Sequence, residues 1–142
     1  MFSFHSGQPS RRMLLFASVA VIAAMLALPN IASADPSPTT VKLSQNVQFA
    51  GPFEIDAQVT LTCTAGWGYS VNVNVVQPQG WGFTMFGGGS AYGQCTGQQQ
   101  KLAVPVYPFN YNGTWLLGDA SASVVACAGA CADDTKQVKI GL

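Results

Sequence analysis

Apolar and polar residues alternate along most of the chain beyond residue 40. In the clearest stretch, apolar side chains occupy every second position from Phe53 to Cys63, and polar side chains fill the positions between them. Successive side chains of a strand point to opposite faces, so this pattern predicts a strand with one face in the core and the other in water. Residues 41–49 alternate in the same way and predict a preceding strand.

Shorter stretches with this alternation bring the predicted total to about seven strands. The remaining five cover residues 71–75, 81–86, 102–106, 120–126 and 138–142. The glycine run at 87–89 predicts that residues 81–94 are mostly loop, and Pro105, which has no N–H to donate, places the fifth strand at a sheet edge. The pattern favours an all-β, antiparallel β-sandwich of the immunoglobulin or fibronectin type, whose second and fifth strands are antiparallel neighbours.

The segment before residue 40 has the pattern of an export signal. Arg11 and Arg12 precede an uncharged apolar run at 13–28, and small residues at 32–34 form a cleavage pattern. The run is shorter than a spanning helix, which needs about 20 residues, so no stable membrane anchor is expected after cleavage. Paired arginines serve both the general and the twin-arginine routes, so the export route stays open.

Three segments are therefore predicted. Residues 1–34 form a cleaved signal peptide with a helical apolar part, residues 35–40 form a proline-rich lead-in, and residues 41–142 form the β-sandwich domain. The mature protein is expected to be secreted, either free in the extracellular space or associated with the cell envelope.

Cleavage would remove His5, the only histidine, together with both arginines. The remainder carries four lysines against six carboxylates, a net charge of −2. Four scattered lysines cannot neutralise a phosphate backbone or hold an anionic membrane, so neither a nucleic-acid partner nor an electrostatic lipid anchor is expected.

The composition of the mature segment offers few residues for catalysis. Without histidine, a serine or cysteine nucleophile lacks its usual general base. A glycosidase needs two carboxyl groups facing each other across a cleft, but Glu54 and Asp56 share one outward strand face and Asp133-Asp134 has the pattern of a solvated turn pair. We predict a protein that is not an enzyme and has no catalytic residues, metal site or cofactor.

Four cysteines in an exported chain predict disulfides. Antiparallel pairing of the second and fifth strands brings Cys63 near Cys95, and Cys127 and Cys131 flank a turn between the last two strands. The predicted bridges are Cys63–Cys95 and Cys127–Cys131. A redox motif usually has two residues between its cysteines rather than three, and zinc would need histidine or four convergent thiolates, so structural bridges are the favoured interpretation.

Aromatic residues crowd the segments between the predicted strands. The candidate binding surface consists of Trp67, Tyr69, Trp81 and Tyr92. Trp67 and Trp81 have glycine neighbours and are expected to be the most exposed, whereas Trp115 and Phe83 are expected in the core. Aromatic rings on end loops are typical of recognition surfaces, which points to binding rather than catalysis.

The favoured function is a secreted, non-enzymatic binding or interaction domain that uses aromatic and glycine-rich end loops. One alternative is a carrier that holds a small apolar molecule in a cleft between the sheets. Another is an inhibitor of an extracellular hydrolase, acting through an exposed loop such as residues 87–94. The sequence leaves open whether the partner is a protein, a glycan or a small apolar ligand.

The whole mature segment resembles the small secreted immunoglobulin-like β-sandwich proteins of Gram-positive, actinobacterial type. The resemblance rests on the stretches at 59–63, 71–75, 94–97 and 118–120. The segment is also distantly similar to the neocarzinostatin family of chromophore-carrying apoproteins in size, small-residue content and a late, close cysteine pair. The chain differs from that family in its other cysteine pair, which closes a short local loop there, whereas Cys63 and Cys95 are far apart in this sequence. Both resemblances imply an immunoglobulin-like β fold, and neither implies a ligand or a binding residue.

Overall fold

Seven β-strands make up the described part of the chain, which is residues 38–109 and 113–142 of a computed structural model. They are β1 (Thr40–Gly51), β2 (Glu54–Thr62), β3 (Gly68–Pro78), β4 (Thr84–Gln94), β5 (Gln100–Pro108), β6 (Gly118–Ala128) and β7 (Ala130–Gly141). The predicted signal peptide, residues 1–34, lies outside the described residues, as do residues 35–37 of the lead-in. The all-β class and the strand number are confirmed.

The strands close into a barrel in the order β1-β2-β5-β4-β3-β6-β7. The antiparallel pairing of β2 with β5 is confirmed by seven successive partners, from Ile55 opposite Val106 to Leu61 opposite Gln100. The prediction of a two-sheet sandwich is wrong, because hydrogen-bonded ladders join the sheets on both sides. The sheet is also mixed, since β1 and β7 run parallel.

Two short ladders produce this closure. On one side, β4 pairs with β3 along its whole length and then with β5 at Gly87 opposite Pro108 and Gly88 opposite Tyr107. On the other side, the β1–β2 register is interrupted between Leu43 and Val47, and from Asn46 onward β1 also pairs with β7. Strand alternation alone does not reveal which strand switches partner, so the sequence could not distinguish a sandwich from a closed barrel.

Side chains of β7 stabilise the switch in β1. The Leu43 N–H donates to Asp134 Oδ2 at 2.8 Å, and Lys136 Nζ donates to the Leu43 carbonyl at 2.8 Å. Lys136 Nζ also lies 3.3 Å from Asp134 Oδ2. The backbone hydrogen bond from Leu43, followed by the contacts with Lys136, holds the pKa of Asp134 below its ordinary value. The predicted solvated turn at Asp133-Asp134 is therefore wrong, since both residues lie in β7 and Asp134 has a structural partner.

The predicted alternation places the core correctly. In β2 every second residue from Ile55 to Leu61 is buried, and the intervening polar residues, including Glu54 and Asp56, are partly exposed. The barrel interior also holds alternate residues of β1, β3, β5, β6 and β7, together with Trp115, Met85 and Cys63–Cys95. Small β-branched and alanine side chains dominate this core, which suits a narrow seven-stranded barrel.

Residues 84–94, predicted as mostly loop, form β4 instead. The glycines in it are required by close packing. A Cβ built on Gly87 would lie 2.3 Å from Cζ2 of Trp115, and one on Gly89 would lie 1.8 Å from the carbonyl oxygen of Pro105. The inhibitor alternative required an exposed loop at residues 87–94, and these residues form part of a strand instead.

Pro105 does not mark a sheet edge, because β5 lies between β2 and β4. The N and C=O of one strand residue point to the same neighbouring strand. The Pro105 carbonyl points toward Gly89 of β4, so the Pro105 nitrogen also faces β4. The β4–β5 ladder has already ended at this position, so a hydrogen bond from an N–H is not needed there. The proline is tolerated because this part of β5 has only one hydrogen-bonded partner strand.

Both predicted disulfides are confirmed. Cys63–Cys95 connects the end of β2 to the residue after β4, and Cys127–Cys131 joins facing positions of β6 and β7 across the turn at Gly129. The described residues contain no free cysteine. Two disulfides indicate that the protein matures in an oxidising environment.

Candidate functional site

The two ends of the barrel have different chemistry. The first, which we call the cysteine end, carries the β2–β3 and β4–β5 turns, the β6–β7 hairpin and both disulfides. The other end carries the β1–β2 turn, the β3–β4 turn and the β5–β6 connection, of which residues 110–112 lie outside the described part. Large apolar side chains are exposed mainly at this second end.

We call this second end the aromatic end and define it by its exposed large apolar side chains. Leu142, which follows β7, is one of them; the other eight are Phe53, Trp81, Phe83, Phe86, Tyr107, Phe109, Leu116 and Leu117. Three separate connections and the adjoining ends of β4 and β5 contribute these eight. An exposed set of this size at one end of a small protein is typical of an interaction site rather than of scattered surface residues.

In each connection that carries these side chains, described residues are hydrogen-bonded to another part of the barrel. Trp115 is only 1 % exposed, and its backbone N–H donates to the Pro52 carbonyl at 2.7 Å, which joins the β5–β6 connection to the β1–β2 turn. Buried Gln77 donates to the Leu116 carbonyl at 2.8 Å and accepts from the Leu116 N–H at 3.1 Å. Gln79 donates to the Thr114 carbonyl at 2.7 Å. The aromatic end therefore rests on a rigid base.

Trp81 occupies the tip of the β3–β4 turn. Its side chain is 100 % exposed, and its φ of 65° lies in the left-handed region that a bulky residue rarely adopts. The Gln79 N–H closes this turn by donating to the Phe83 carbonyl at 2.7 Å. A tryptophan that is held in an unfavourable backbone conformation and contacts no core contributes little to stability, which makes it a candidate for function.

Tyr107 is the titratable member of the aromatic end. The Glu54 carboxylate across the β2–β5 pair raises the pKa of Tyr107 above its ordinary value; desolvation, a hydrogen bond to Glu54 and the charge of Asp56 act in the same direction. The phenol therefore stays protonated at neutral pH beside the Glu54 carboxylate.

The four residues of the candidate surface predicted from the sequence do not lie together. Trp81 belongs to the aromatic end, whereas Trp67, Tyr69 and Tyr92 lie near the cysteine end. The distance from Thr84 to Tyr92 along β4 alone is about 27 Å at roughly 3.4 Å per residue. Tyr69 and Tyr92 are also strand residues rather than loop residues.

At the cysteine end, two of these rings have packing partners. Trp67 is 48 % exposed, and its ring covers Gly129, where a built Cβ would lie 2.7 Å from Cζ3. The Tyr69 ring covers Gly93 in the same way, with Oη 2.5 Å from the built Cβ. Tyr92, 74 % exposed, projects more freely. Trp67 and Tyr69 thus serve the packing of the hairpins, and Tyr92 has no comparable packing role.

The expected exposure of Trp67 and Trp81 and the expected burial of Trp115 are confirmed, but Phe83 is 73 % exposed rather than in the core. Sequence reasoning also missed Phe53 and Phe109. Each follows a turn-forming residue, as Phe83 follows Gly82: Phe53 comes after Pro52, and Phe109 comes after Pro108. The criterion that identified Trp67 and Trp81, a glycine neighbour, applies to Phe83 but not to Phe53 or Phe109; extended to proline, it would have found all three.

Residues 38–109 and 113–142 include no group of three or more cysteine, histidine or acidic side chains placed to hold a metal ion. The same residues contain no helix long and apolar enough to cross a membrane. No protein-family model matches the chain, and a search of curated proteins gives no significant match.

Proposed function

We propose that the protein is a secreted, non-enzymatic binding domain whose binding surface is the aromatic end. The observation that supports this most strongly is the set of eight large apolar side chains exposed there on rigidly held connections. Exposed apolar area opposes solubility, and its burial against a partner gives about 25 cal/mol per Å². A small domain that keeps such a surface in water gains when a partner covers it.

The composition of the surface favours recognition. Tryptophan and tyrosine are enriched among the residues that dominate binding energy, because each buries a large area and immobilises few side-chain torsions. Trp81 and Tyr107 supply two such rings. The hydrogen bonds of Gln77 and Gln79 hold the connections in place before a partner arrives, which lowers the entropy cost of binding.

A non-enzymatic role is supported by the arrangement of the carboxylates on β2. Glu54 and Asp56 lie on the same open face of β2, two residues apart. Acid–base hydrolysis of a glycoside needs two carboxyl groups on opposite sides of a substrate. A secreted location is supported by the two disulfides together with the export pattern at 1–34.

The carrier alternative receives less support than the binding surface. The space between the two predicted sheets is filled by the side chains of the core cluster, among them Ile55, Val73, Val104 and Trp115. An apolar ligand held there would have to displace them. The exposed rings at the aromatic end need no such rearrangement.

An array experiment tests the proposal. The purified secreted protein, fluorescently labelled, is applied to arrays of defined glycans and of defined extracellular proteins. A double variant, Trp81→Ser with Phe83→Ser, removes two of the most exposed rings, and Tyr92→Ser is the matched control at the other end. We expect signals from the native protein that are lost in the double variant and kept in the control.

The same arrays define failure. If the native protein gives no signal on either array, or if the double variant retains every signal, the aromatic end is not the binding surface. Thermal unfolding of all three proteins serves as the folding control, since an exposed ring makes little contribution to stability.

A further inference from the structure

A shallow groove lies on the outer face of β3 and β4 where this face meets the aromatic end. Its volume is about 470 Å³. The groove is lined by Asn72, Val73, Asn74, Gly88, Gly89, Ser90 and Phe109. We call it the neutral groove, because none of its lining residues is ionisable. Its volume falls in the range of small-ligand sites, about 300–1,000 Å³.

Gly88 forms the floor of the neutral groove. A Cβ built on it would lie 2.6 Å from Cζ of Phe109 and 3.2 Å from Oδ1 of Asn74. The Phe109 ring and the Asn74 amide therefore both lie close to this backbone position. The Phe109 N–H donates to the Phe86 carbonyl at 2.9 Å, which fixes the ring's own backbone beside β4. The Phe109 ring therefore covers Gly88, and the Asn74 amide lies beside it.

The polar groups of the groove keep free hydrogen-bonding capacity. Asn72 Oδ1 accepts from Ser90 Oγ at 2.7 Å, across the β3–β4 pair. This bond orients both side chains and leaves the Asn72 NH₂ donors and the Ser90 oxygen lone pairs for a ligand. Asn74 is exposed, and its amide makes no hydrogen bond within the described residues. Two amides and a hydroxyl therefore offer donors and acceptors in a row.

The absence of charge extends beyond the groove. The facing outward positions of β4, β3 and β6 follow from the register: Tyr92, Ser70 and Cys127; Ser90, Asn72 and Val125; Gly88, Asn74 and Ser123; Phe86, Val76 and Ser121. No ionisable side chain other than the Tyr92 phenol occurs among them. The next strand, β7, places Asp133 opposite Val125. On the other side, Gly88 lies opposite Tyr107 of β5, and Glu54 and Asp56 follow on β2. A charged ligand would find no opposite charge within β3, β4 and β6, whereas a neutral polyhydroxylated one would find amides, hydroxyls and rings there.

We propose that the neutral groove binds an uncharged oligosaccharide. The C–H face of a pyranose packs on Phe109, and its hydroxyl groups exchange hydrogen bonds with Asn72, Asn74 and Ser90. The inference rests on the proposed binding function, because Phe109 belongs to both surfaces, and it specifies a glycan as the partner class.

Nuclear magnetic resonance titration tests this proposal on the purified secreted protein labelled with ¹⁵N. The probes are maltohexaose, cellohexaose, xylohexaose and chitohexaose, each added up to millimolar concentration. With at least one probe, we expect saturable shifts in the backbone amides of Gly88 and Gly89 and in the side-chain amides of Asn72 and Asn74.

Variants connect the shifts to the groove. Phe109→Ala and Asn74→Ala should each weaken the affinity for that probe by about tenfold, because each removes one side of the site. The matched controls are Tyr92→Ala, an exposed ring outside the groove and outside the aromatic end, and Asn46→Ala, an exposed amide on β1, and both should leave the affinity unchanged. All four residues are partly or fully exposed, so each variant should fold.

The outcomes separate this proposal from the broader one. If none of the four probes shifts the groove resonances, or if the shifts lie elsewhere, the glycan proposal is wrong. Should protein spots on the arrays then still depend on Trp81 and Phe83, the binding function stands without it. If the arrays are silent as well, both proposals fail.

Discussion

Single residues show how tightly the barrel is packed where β4 meets β5. Three successive glycines let β4 pass Trp115, Phe109 and the Pro105 carbonyl at distances that no side chain would allow. In the sequence, a run of three glycines is typical of a loop, because glycine loses more conformational freedom on folding than other residues. Only the positions of the neighbouring groups reveal that the run belongs to a strand, and those neighbours come from distant parts of the chain.

We expect Gly89→Ala to lower the free energy of unfolding by about 3 kcal/mol, because its Cβ would collide with a backbone carbonyl that cannot turn away. Gly141→Ala is the matched control, since a Cβ there meets nothing within 4 Å, and its effect should stay within about 0.5 kcal/mol. Urea unfolding monitored by tryptophan fluorescence measures both. Equal effects of the two changes would show that β4 does not approach β5 closely.

The carboxylate of Asp134 makes part of the stability depend on pH. Its pKa is lowered in the folded state, so in acid the unfolded chain binds the proton first, and stability falls as pH falls. We expect Asp134→Asn to lower the free energy of unfolding at pH 7 by about 1 kcal/mol, because a charge-assisted hydrogen bond to Leu43 is weakened.

The difference between Asp134→Asn and the native protein should shrink as the pH falls through the ordinary value of 3.8 and on through the lower folded-state value. Urea unfolding at a series of pH values measures it. A difference that stays constant down to pH 2 would show that Asp134 is not ionised in its contact with Leu43.

Among the secondary-structure elements, predictability follows hydrophobic content. β2 was predicted from its alternation almost residue by residue, because each inward position holds a residue with an apolar side chain. The predicted strand at 81–86 overlaps only the start of β4, and the first half of β7 is missed. β4 forms a long ladder with β3, and β7 forms one with β6, but the middle of β4 is glycine, serine and alanine, and β7 begins with alanine, cysteine and aspartate, so neither stretch shows an apolar period of two. The disulfides are predictable because the assumed immunoglobulin-type order pairs β2 with β5, as the structure does, and because Cys127 and Cys131 flank a turn.

The two disulfides should differ in their accessibility to reductant. Cys63 and Cys95 are both buried, whereas Cys131 is exposed and Cys127 is partly exposed. Under mild dithiothreitol treatment, we expect the Cys127–Cys131 bridge to be reduced first, giving an intermediate that retains Cys63–Cys95. Alkylation followed by peptide mass mapping identifies the species, and simultaneous reduction of both bridges would contradict the prediction.

The bridges should also differ in their contribution to stability. Replacing both cysteines of the Cys63–Cys95 pair by alanine should cost roughly 3–4 kcal/mol, against about 2 kcal/mol for the shorter loop of Cys127–Cys131. The longer loop restricts the unfolded chain more. Thermal unfolding of the two double variants tests the order, and a larger loss at Cys127–Cys131 would reverse it.

For the molecule as a whole, the sequence could predict the class of fold but not its closure or its surface. Closure depends on the β4–β5 ladder of two residue pairs and the β1–β7 ladder of three. No sequence pattern in β1 or β4 predicts either ladder. The four aromatic residues of the candidate surface predicted from the sequence lie at opposite ends of the barrel. Consecutive strands run in opposite directions, so successive connections alternate between the two ends. The exposed rings form a surface because three alternate connections meet at the same end.

The aromatic end should limit the solubility of the free protein. We expect Trp81→Ser with Phe83→Ser to raise the polyethylene glycol concentration at which the protein precipitates, while leaving the free energy of unfolding within about 0.5 kcal/mol of the native value. Tyr92→Ser should have a smaller effect on precipitation. A large loss of stability in the double variant would mean that these rings are packed rather than exposed.

The direction of β1 determines how the domain is presented to its surroundings. Thr39, just before β1, donates to the Ala128 carbonyl at 3.3 Å and therefore lies at the cysteine end, whereas Leu142 follows β7 at the aromatic end. A domain tethered through its amino-terminal side would hold Trp81 outward, facing away from its support. One attached to a bead or chip through Leu142 would have the same tryptophan turned toward the solid phase and shielded from any partner.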